Sequence, residues 1–184
     1  MKLDILEIEN FVDKYNAERL VVYRMNNSPM TFKGDNNFFA NKSFPLSEIP
    51  DKYIQNFIQK TKYKLTQTIE DYFKPEDTQY VDFTDVVKWQ EGDYMDLHGD
   101  NAYYPSGEPN YVSHRTFTGV IYLNDNYKGG ETFFVNDKEY KPKAGTLIAY
   151  PSTIEYAHGV KEIKEGTRCT LAVWFTDDQR HYEF

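Results

Sequence analysis

The chain has 184 residues, and its 29 Asp and Glu against 21 Lys and Arg give a formal net charge of -8. This length suits one domain with a two-layer core, and an acidic chain without a basic patch is not expected to bind nucleic acid. Cys169 is the only cysteine, which excludes an intrachain disulfide and favours a reducing compartment.

Neither a secretory signal nor a membrane span is expected from the sequence. Acidic residues interrupt the short apolar runs of residues 1–9, and no stretch approaches the roughly 20 apolar residues that a membrane helix needs. We therefore expect a soluble, cytoplasmic protein without a membrane partner, present as a monomer or a weak homodimer.

Aromatic residues make up 17% of the chain, with 16 Tyr and 13 Phe. This composition predicts a core filled by rings rather than by Leu and Val. Tyrosine in such numbers also lines pockets, because its apolar ring carries a hydroxyl that needs a partner when it is buried.

The N-terminal part mixes short elements with irregular chain. Residues 3–9 place apolar and acidic positions in near alternation, which predicts a short strand, and a helix is expected near residues 12–21. Residues 26–45 are rich in Asn, Ser, Pro and Gly and predict a long loop with Phe39 and Phe44 as anchors.

A longer helix is predicted next. Apolar residues recur at a helical period from Ile54 to Phe73, and Pro75 stops the pattern. Either Ser47 or Asp51 can open the helix. Its apolar stripe is expected to cover one face of a sheet.

Beyond residue 79 the pattern changes to short strands separated by turns. Strands are predicted at residues 80–89, 94–98, 115–123, 132–135, 146–150, 155–160 and 168–175. Turns are predicted at residues 128–131 and 142–145. Strands at this spacing predict a mainly β fold with flanking helices, in which two antiparallel sheets form a jelly roll. We expect one domain over residues 1–184, with residues 1–75 as support and residues 80–176 as the core.

The tripeptide that ends in Asp100 carries the first candidate ligands. His98 and Asp100 leave the same face of an extended segment, and nitrogen plus carboxylate oxygen suits an iron centre with open positions if a second histidine joins them. His158 is the candidate, since a jelly roll can bring a late strand to the same end of the sandwich. Arg168, on the next strand, can bind a carboxylate through its planar fork. A dicarboxylate held by the metal and the guanidinium fits this arrangement.

At this point a set of spaced motifs resembles a known family. The motifs, in chain order, are Trp89-x-x-Gly92-x-Tyr94-x-x-x-His98-x-Asp100, Arg115-x-x-Thr118-x-x-x-Tyr122-Leu123-Asn124, Gly129-Gly130-Glu131-Thr132-x-Phe134, Pro142-x-x-Gly145, His158-x-Val160, Gly166-x-Arg168 and Trp174. They resemble the catalytic domain of the iron(II)- and 2-oxoglutarate-dependent dioxygenases of the prolyl 4-hydroxylase type. The resemblance covers about residues 80–176 and implies a double-stranded β-helix.

The resemblance also implies roles for individual residues. The two histidines and the aspartate named above would hold Fe(II), while Arg168 would bind the distal carboxylate of 2-oxoglutarate. The Tyr122 hydroxyl would be a second donor to that carboxylate, and Thr118 would line the same pocket. The implied reaction consumes O2 and converts 2-oxoglutarate to succinate and CO2 as it hydroxylates an unactivated C–H bond, with ascorbate as reductant. The aspartate ligand favours hydroxylation, because halogenating relatives lack it.

Two positions depart from the family pattern. Trp89 stands where many relatives have a tyrosine, and its indole donates a hydrogen bond but accepts none. Met95 stands where tyrosine is frequent, with Tyr94 one residue earlier. How this strand contacts the co-substrate therefore stays open, and Tyr94 either reaches the pocket by a shifted route or only packs.

The substrate is indicated by the segment that follows the metal motif. Residues 101–111 place Tyr103, Tyr104 and Tyr111 among prolines, and these rings together with Trp89 are the candidate substrate-binding residues. Because aromatic grooves suit extended proline-containing peptides, we expect hydroxylation of a prolyl residue in a peptide or protein.

Other functions remain open from the sequence. One is a hydroxylase of the same family that acts on lysyl residues, a free amino acid or another small molecule. Another is a jelly roll that binds a ligand without turnover, and a third is a zinc or nickel cupin, which would not require Arg168. His114 and His181 are expected to be surface residues, and Trp174 and Cys169 to lie in the core.

Overall fold

Two antiparallel sheets face each other in the computed structural model, which describes residues 3–28 and 41–183. The helices are α1 (Lys14–Asn26) and α2 (Lys52–Phe73), with 3-10 turns at Leu46–Glu48, Ile154–Tyr156 and Gln179–His181. The strands are β1 (Leu6–Ile8), β2 (Tyr80–Gln90), β3 (Met95–His98), β4 (Arg115–Tyr122), β5 (Lys128–Gly129), β6 (Thr132–Phe134), β7 (Glu139–Tyr140), β8 (Leu147–Pro151), β9 (His158–Val160), β10 (Ile163–Glu165) and β11 (Thr167–Thr176). The expected mainly β architecture with flanking helices is confirmed.

The larger sheet has the order β1-β8-β4-β11-β2 and the smaller sheet the order β3-β9-β6-β7, while β5 and β10 form a separate pair. In the larger sheet, Trp89 lies opposite Arg168 and Thr118 lies opposite Trp174. Because side chains alternate along a strand, these four residues share the face that looks toward the smaller sheet. The functional cavity lies on this face.

Helix α2 covers the opposite face of the larger sheet. Its first turn is capped by Asp51, whose carboxylate accepts hydrogen bonds from the amides of Tyr53 and Ile54. A Cβ on Gly119 of β4 would lie 2.7 Å from Cδ2 of Leu65, so the helix rests directly on the strand. The predicted helix is confirmed, and of the two possible starts, Ser47 and Asp51, the structure has Asp51. Within the described ranges, no helix combines the length and apolarity needed to cross a membrane.

Helix α1 runs five residues beyond the predicted end at Val21. The extension contains Arg24, whose guanidinium is fully buried. It donates hydrogen bonds to the backbone carbonyls of Asn27, Asn41, Lys42 and Val86. These hydrogen bonds, most of them to distant segments, hold the last turns of the helix. The local apolar pattern does not contain them, so it predicted an earlier end.

The shortest elements differ most from the predictions. Residues Lys128–Gly129 form a strand instead of a turn, because they pair with Ile163–Glu165. The strand predicted at 155–160 is shortened to His158–Val160 by a preceding 3-10 turn. Phe44 is buried, as expected of an anchor, whereas Phe39 lies outside the described residues.

The core is divided between aliphatic and aromatic layers. Between the helices and the larger sheet it is mostly Leu, Ile and Val. Between the two sheets, one cluster is largely rings, those of Tyr122, Phe134, Tyr140 and Tyr150, and a second surrounds Trp89 with aliphatic side chains. The prediction of a ring-filled core is therefore wrong for the helix layer and holds for only one of the two clusters between the sheets.

Candidate active site

A cavity of about 570 Å³ opens between the two sheets. His98, Asp100 and His158 lie on its wall, and so do Arg168 and a set of apolar side chains from both sheets. Those apolar side chains include Val87, Trp89, Met95, Val120, Val160 and Ala172. The cavity therefore combines a few polar groups with apolar walls, as ligand sites commonly do.

The three predicted ligands come together at one end of this cavity. His98 at the end of β3 pairs directly with His158 at the start of β9, and their ring centroids are 4.5 Å apart. Asp100 follows two residues after β3. One ligand atom from each of the three residues lies within 4.8 Å of the other two, which is a separation that a metal ion can bridge.

Both imidazoles are oriented by backbone carbonyls two residues earlier in the chain. Nδ1 of His98 lies 3.1 Å from the carbonyl oxygen of Asp96, and Nδ1 of His158 lies 3.1 Å from that of Tyr156. We assign the proton of each ring to Nδ1, because a carbonyl oxygen can only accept. Each Nε2 then carries the lone pair that a metal would bind.

The Asp100 carboxylate is held through both oxygens. The hydroxyl of Thr118 donates to Oδ2 over 2.7 Å, and the indole Nε1 of Trp174 donates to Oδ1 over 3.0 Å. Burial acts to raise the pKa of Asp100, but the imidazoles of His158 and His98 and these two hydrogen bonds outweigh it and lower the pKa. The carboxylate therefore stays ionised and ready to bind a cation.

His158 is neutral for a related reason. Burial and the neighbouring His98 lower its pKa to about 4, although Asp100 opposes the change. The hydroxyl of Tyr150 lies 3.1 Å from Nε2 of His158, and its own pKa is raised by burial and by the nearby Asp100 carboxylate. Tyr150 thus stays protonated and donates to His158, whose neutral ring is the form that binds metals.

Arg168 lies at the other end of the cavity and is 2% exposed. One terminal nitrogen donates to the Thr132 hydroxyl over 3.0 Å, and that hydroxyl is also 2.5 Å from the Tyr122 hydroxyl. The guanidinium carbon lies 5.0 Å from the centroid of the Tyr122 ring. Nε of Arg168 has no hydrogen-bond partner among the described residues. The other terminal nitrogen donates to no described residue either, and a buried cation with unpaired donors suits an anionic ligand.

The other residues that the sequence pointed to differ in their position relative to the cavity. Thr118 lines the cavity, but its hydroxyl serves Asp100 instead of the guanidinium end. Tyr122 is fully buried, with its hydroxyl already bonded to Thr132. Trp89 is buried in the cavity wall, next to Arg168, with which it pairs on the neighbouring strand. Of the two departures in β3, Met95 lines the cavity, whereas Tyr94 is exposed.

The three loop tyrosines also line this cavity. Tyr103 is 57% exposed, Tyr104 39% and Tyr111 84%. Such exposure places their rings where the cavity meets solvent, in contrast to the buried Trp89. The structure therefore separates the four candidate substrate contacts into three exposed rings and one interior ring.

Two residues of the site had no predicted role. Thr132 follows the Gly129-Gly130-Glu131 motif, and its hydroxyl links Arg168 to Tyr122. Trp174 was expected in the core, but it is half-buried and donates to Asp100. Its even spacing from Arg168 on a strand was the signal that could have placed it in the cavity.

A second group of potential ligands, Asp82, His114 and His181, lies outside this site. The two rings stack 3.7 Å apart with planes 6° from parallel, so they cannot both direct an in-plane lone pair at one ion. Asp82 is also bonded to His114 and to Arg115. His114 was expected to be a surface residue. In the structure it belongs to a hydrogen-bonded cluster with Asp82.

The comparison with protein families identifies the class. The 2OG-Fe(II) oxygenase superfamily matches residues 84–176, half of the chain and all of the strands that carry the ligands. The chain belongs to this superfamily. Membership implies an enzyme class that uses Fe(II), 2-oxoglutarate and O2.

Among individual proteins, the chain is similar in sequence to prolyl 3-hydroxylases. The chain is 31% identical to human prolyl 3-hydroxylase 2 over 186 aligned residues, which cover 88% of this chain and 26% of that protein. It is 32% identical to human prolyl 3-hydroxylase 3 over 133 residues, 61% of this chain and 18% of that protein. The chain thus spans about a quarter or less of the length of these relatives.

Solved structures share the fold. The viral collagen prolyl hydroxylase of Paramecium Bursaria Chlorella virus-1 matches with a TM-score of 0.66 and 20% identity, over 93% of this chain and 94% of that one. A Pseudomonas putida prolyl-4-hydroxylase matches with a TM-score of 0.67 and 16% identity, over 95% and 93% of the two chains. The fold is therefore the expected double-stranded β-helix.

Proposed function

We propose that this chain is an Fe(II)- and 2-oxoglutarate-dependent hydroxylase of prolyl residues in a peptide or protein, with release of succinate and CO2. One observation carries the proposal: a single cavity has the donor set of His98, Asp100 and His158 at one end and the incompletely paired guanidinium of Arg168 at the other.

The ligand end fits a ferrous ion. Two imidazoles and one carboxylate on one side of the ion are the donors of nonhaem iron oxygenases, and they leave positions open for other ligands. When bound, Fe(II) with 2-oxoglutarate and O2 supplies the oxidant for an unactivated C–H bond, and we expect ascorbate to keep the iron reduced. His98, Asp100 and His158 would hold this ion.

The guanidinium end fits the co-substrate. Arg168 would bind the distal carboxylate of 2-oxoglutarate, because its charge is buried and one of its two terminal nitrogens donates to no described residue. Thr132 orients the guanidinium from the side, with the Tyr122 hydroxyl behind it. The apolar walls between the two ends exclude water, which strengthens the attraction between the carboxylate and the cation.

The mouth of the cavity fits a peptide. Tyr103, Tyr104 and Tyr111 expose their rings beside it, and such rings bind the extended helix that proline-rich peptides adopt. The relatives named above are hydroxylases of proline, some for carbon 3 and some for carbon 4. We therefore propose a prolyl substrate and leave the choice between the two carbons to experiment.

The test combines product analysis with matched variants. The purified chain is incubated with Fe(II), 2-oxoglutarate, ascorbate and a set of proline-rich peptides, with lysine-containing peptides and free amino acids in parallel. Mass spectrometry should show the addition of one oxygen to proline with one succinate formed per product. Hydrolysis and chromatography then distinguish 3-hydroxyproline from 4-hydroxyproline.

The controls use two histidines of the same chain. His98→Ala should abolish product formation, whereas His181→Ala, outside the cavity, should retain it. Hydroxylation confined to lysine or to a free amino acid would overturn the prolyl assignment. Equal activity of His98→Ala and the wild type would overturn the iron site itself.

A further inference from the structure

Two buried polar atoms near the guanidinium end lack hydrogen bonds. They are Nε of Arg168 and the hydroxyl of Tyr127, and neither has a partner within the part of the chain that the structure describes. Tyr127 lies in the turn between β4 and β5, and only 5% of its surface is exposed. Leaving a buried polar atom unpaired is destabilising, so two such atoms in one place call for an explanation.

The geometry around Gly130 places the side chains of Tyr127 and Arg168 next to each other. A Cβ on Gly130 would lie 3.1 Å from Cε2 of Tyr127 and 3.2 Å from Cδ of Arg168. Cε2 is next to the carbon that bears the hydroxyl, and Cδ is bonded to Nε. The phenol edge and the base of the guanidinium therefore flank the same point, which is kept open by a glycine with φ of +69°.

The chemistry of the two groups is complementary. Nε–H can only donate, and a phenol oxygen can accept. Burial raises the pKa of Tyr127 to about 12, although the charge of Arg168 and its approach as a hydrogen-bond donor act to lower it. The phenol is therefore neutral, and the two groups are close without reaching full hydrogen-bond geometry. Of the residues around the guanidinium, Thr132 reaches the cavity together with Arg168. Tyr127 is buried and does not line the cavity, so it approaches the guanidinium from outside the space open to a ligand.

We propose that Tyr127 is a positioning residue for Arg168, accepting a hydrogen bond from Nε–H when a dicarboxylate occupies the cavity. Thr132 holds one terminal nitrogen and Tyr127 holds Nε, so the carboxylate meets the edge formed by the two terminal nitrogens. This clamp fixes the distance from the guanidinium to the metal ligands and thereby selects the length of the dicarboxylate. The inference rests on the proposed function, because it concerns the same co-substrate.

The test measures binding without turnover. The full chain is loaded with Fe(II) under anaerobic conditions and titrated by calorimetry with 2-oxoglutarate and with 2-oxoadipate, which is one methylene longer. Tyr127→Phe should weaken 2-oxoglutarate binding by about 10-fold, the effect of one hydrogen bond to a charged group. It should weaken 2-oxoadipate binding less, because a guanidinium no longer held by Tyr127 can move away from the metal ligands and make room for the longer dicarboxylate. The ratio of the two affinities should therefore fall.

A matched control is Tyr140→Phe. Tyr140 is another buried tyrosine whose hydroxyl has no partner among the described residues, and its ring packs edge-on against Phe134 at 5.7 Å. Its removal should leave the affinity ratio at the wild-type value. Gly130→Ala provides a second route. The new methyl group would clash with Cδ1 of Ile163 and lie 3.1 Å from Cε2 of Tyr127 and 3.2 Å from Cδ of Arg168, so it should push the last two apart and shift the ratio in the same direction as Tyr127→Phe.

The outcomes separate this inference from the proposed function. A wild-type affinity ratio in Tyr127→Phe, or an equal shift in Tyr140→Phe, would overturn the positioning role. If Tyr127→Phe does not fold, the ratio in Gly130→Ala decides in its place. Arg168→Ala in the same titration should remove most of the binding, and retention of wild-type affinity there would overturn the co-substrate site itself.

Discussion

The two ends of the cavity differ in how completely the protein pairs its own polar atoms. At the metal-ligand end, both imidazole Nδ1 atoms face carbonyls and both oxygens of Asp100 accept hydrogen bonds. At the guanidinium end, Nε of Arg168 and the Tyr127 hydroxyl have no partner among the described residues. One end is set before a ligand arrives, and the other is completed by the ligand.

For the two histidines, the difference follows from where the partners lie in the chain, whereas Asp100 is held by Thr118 and Trp174 of the larger sheet. The carbonyls that orient His98 and His158 belong to residues two positions earlier, so each ring is held within its own segment. Arg168 depends on Thr132, which is 36 positions away on another strand, and on a tyrosine in a separate turn. Local contacts form with the segment, whereas distant contacts require the sheets to meet. A preset metal end and an adaptable anion end suit a metal cofactor that stays and a co-substrate that is replaced at every turnover.

The largest expected effect is at the preset end. Asp100→Ala removes the one anionic ligand and leaves two neutral imidazoles, so the affinity for Fe(II) should fall by at least about 100-fold. Anaerobic titration with Fe(II) measures this loss. Asp96→Ala is the control, because its side chain is exposed and only its backbone carbonyl orients His98. Equal iron affinity in the two variants would contradict the assignment of Asp100.

The adaptable end should respond to a change of cation. Arg168→Lys keeps the positive charge but replaces a planar fork by a single ammonium, so the affinity for 2-oxoglutarate should fall by about 30-fold. Fe(II) affinity should stay at the wild-type value, because the two ends are held independently. Arg180→Lys, at an exposed guanidinium outside the cavity, is the matched control. A parallel loss of iron affinity would show that the ends are coupled.

Removal of the hydrogen bond from Thr118 to Asp100 should show whether that bond prepares the carboxylate for iron. Thr118→Val keeps the shape of the side chain but removes the hydrogen bond to Oδ2 of Asp100, so Fe(II) affinity should fall by about 10-fold. Thr116→Val, on the same strand, removes a hydrogen bond to Gln79 instead and should leave iron affinity unchanged. If both variants bind iron like the wild type, the hydrogen bond from Thr118 does not prepare the site.

The smallest expected effect lies on the wall between the two ends. Burial raises the pKa of Asp85 to about 6, against the hydrogen bonds from Ser43 and Phe44 and the charge of Arg24. Between pH 3.8 and about 6 the folded chain keeps a proton that the unfolded chain has released. The stability due to this group therefore falls as pH rises through that window. Asp85→Asn should remove on the order of 1 kcal/mol of this decline, measured by denaturant unfolding at several pH values. An unchanged pH profile would contradict the raised pKa.

The sequence by itself determined the parts that depend on local pattern. The period of α2 and its cap at Asp51 come from side chains that act within a turn or two. The order of short strands and turns in the core likewise predicted two antiparallel sheets. The spacing of His98 and Asp100 placed both side chains on one face of a strand. The resemblance of the motifs around His158 and Arg168 to a known family then predicted that these residues would meet.

Only the tertiary structure decided what depends on packing between distant segments. The end of α1 at Arg24 and the pairing of β5 with β10 require contacts across the fold. So do the hydrogen bond from Trp174 to Asp100 and the approach of Tyr127 to Arg168. Burial, charge state and hydrogen-bond partners are properties of a whole environment, and a linear pattern can name a side chain without showing what surrounds it. The ligands of the metal end were therefore visible in the sequence, whereas the hydrogen bonds that hold Asp100 and the clamp around Arg168 appeared only when the sheets were brought together.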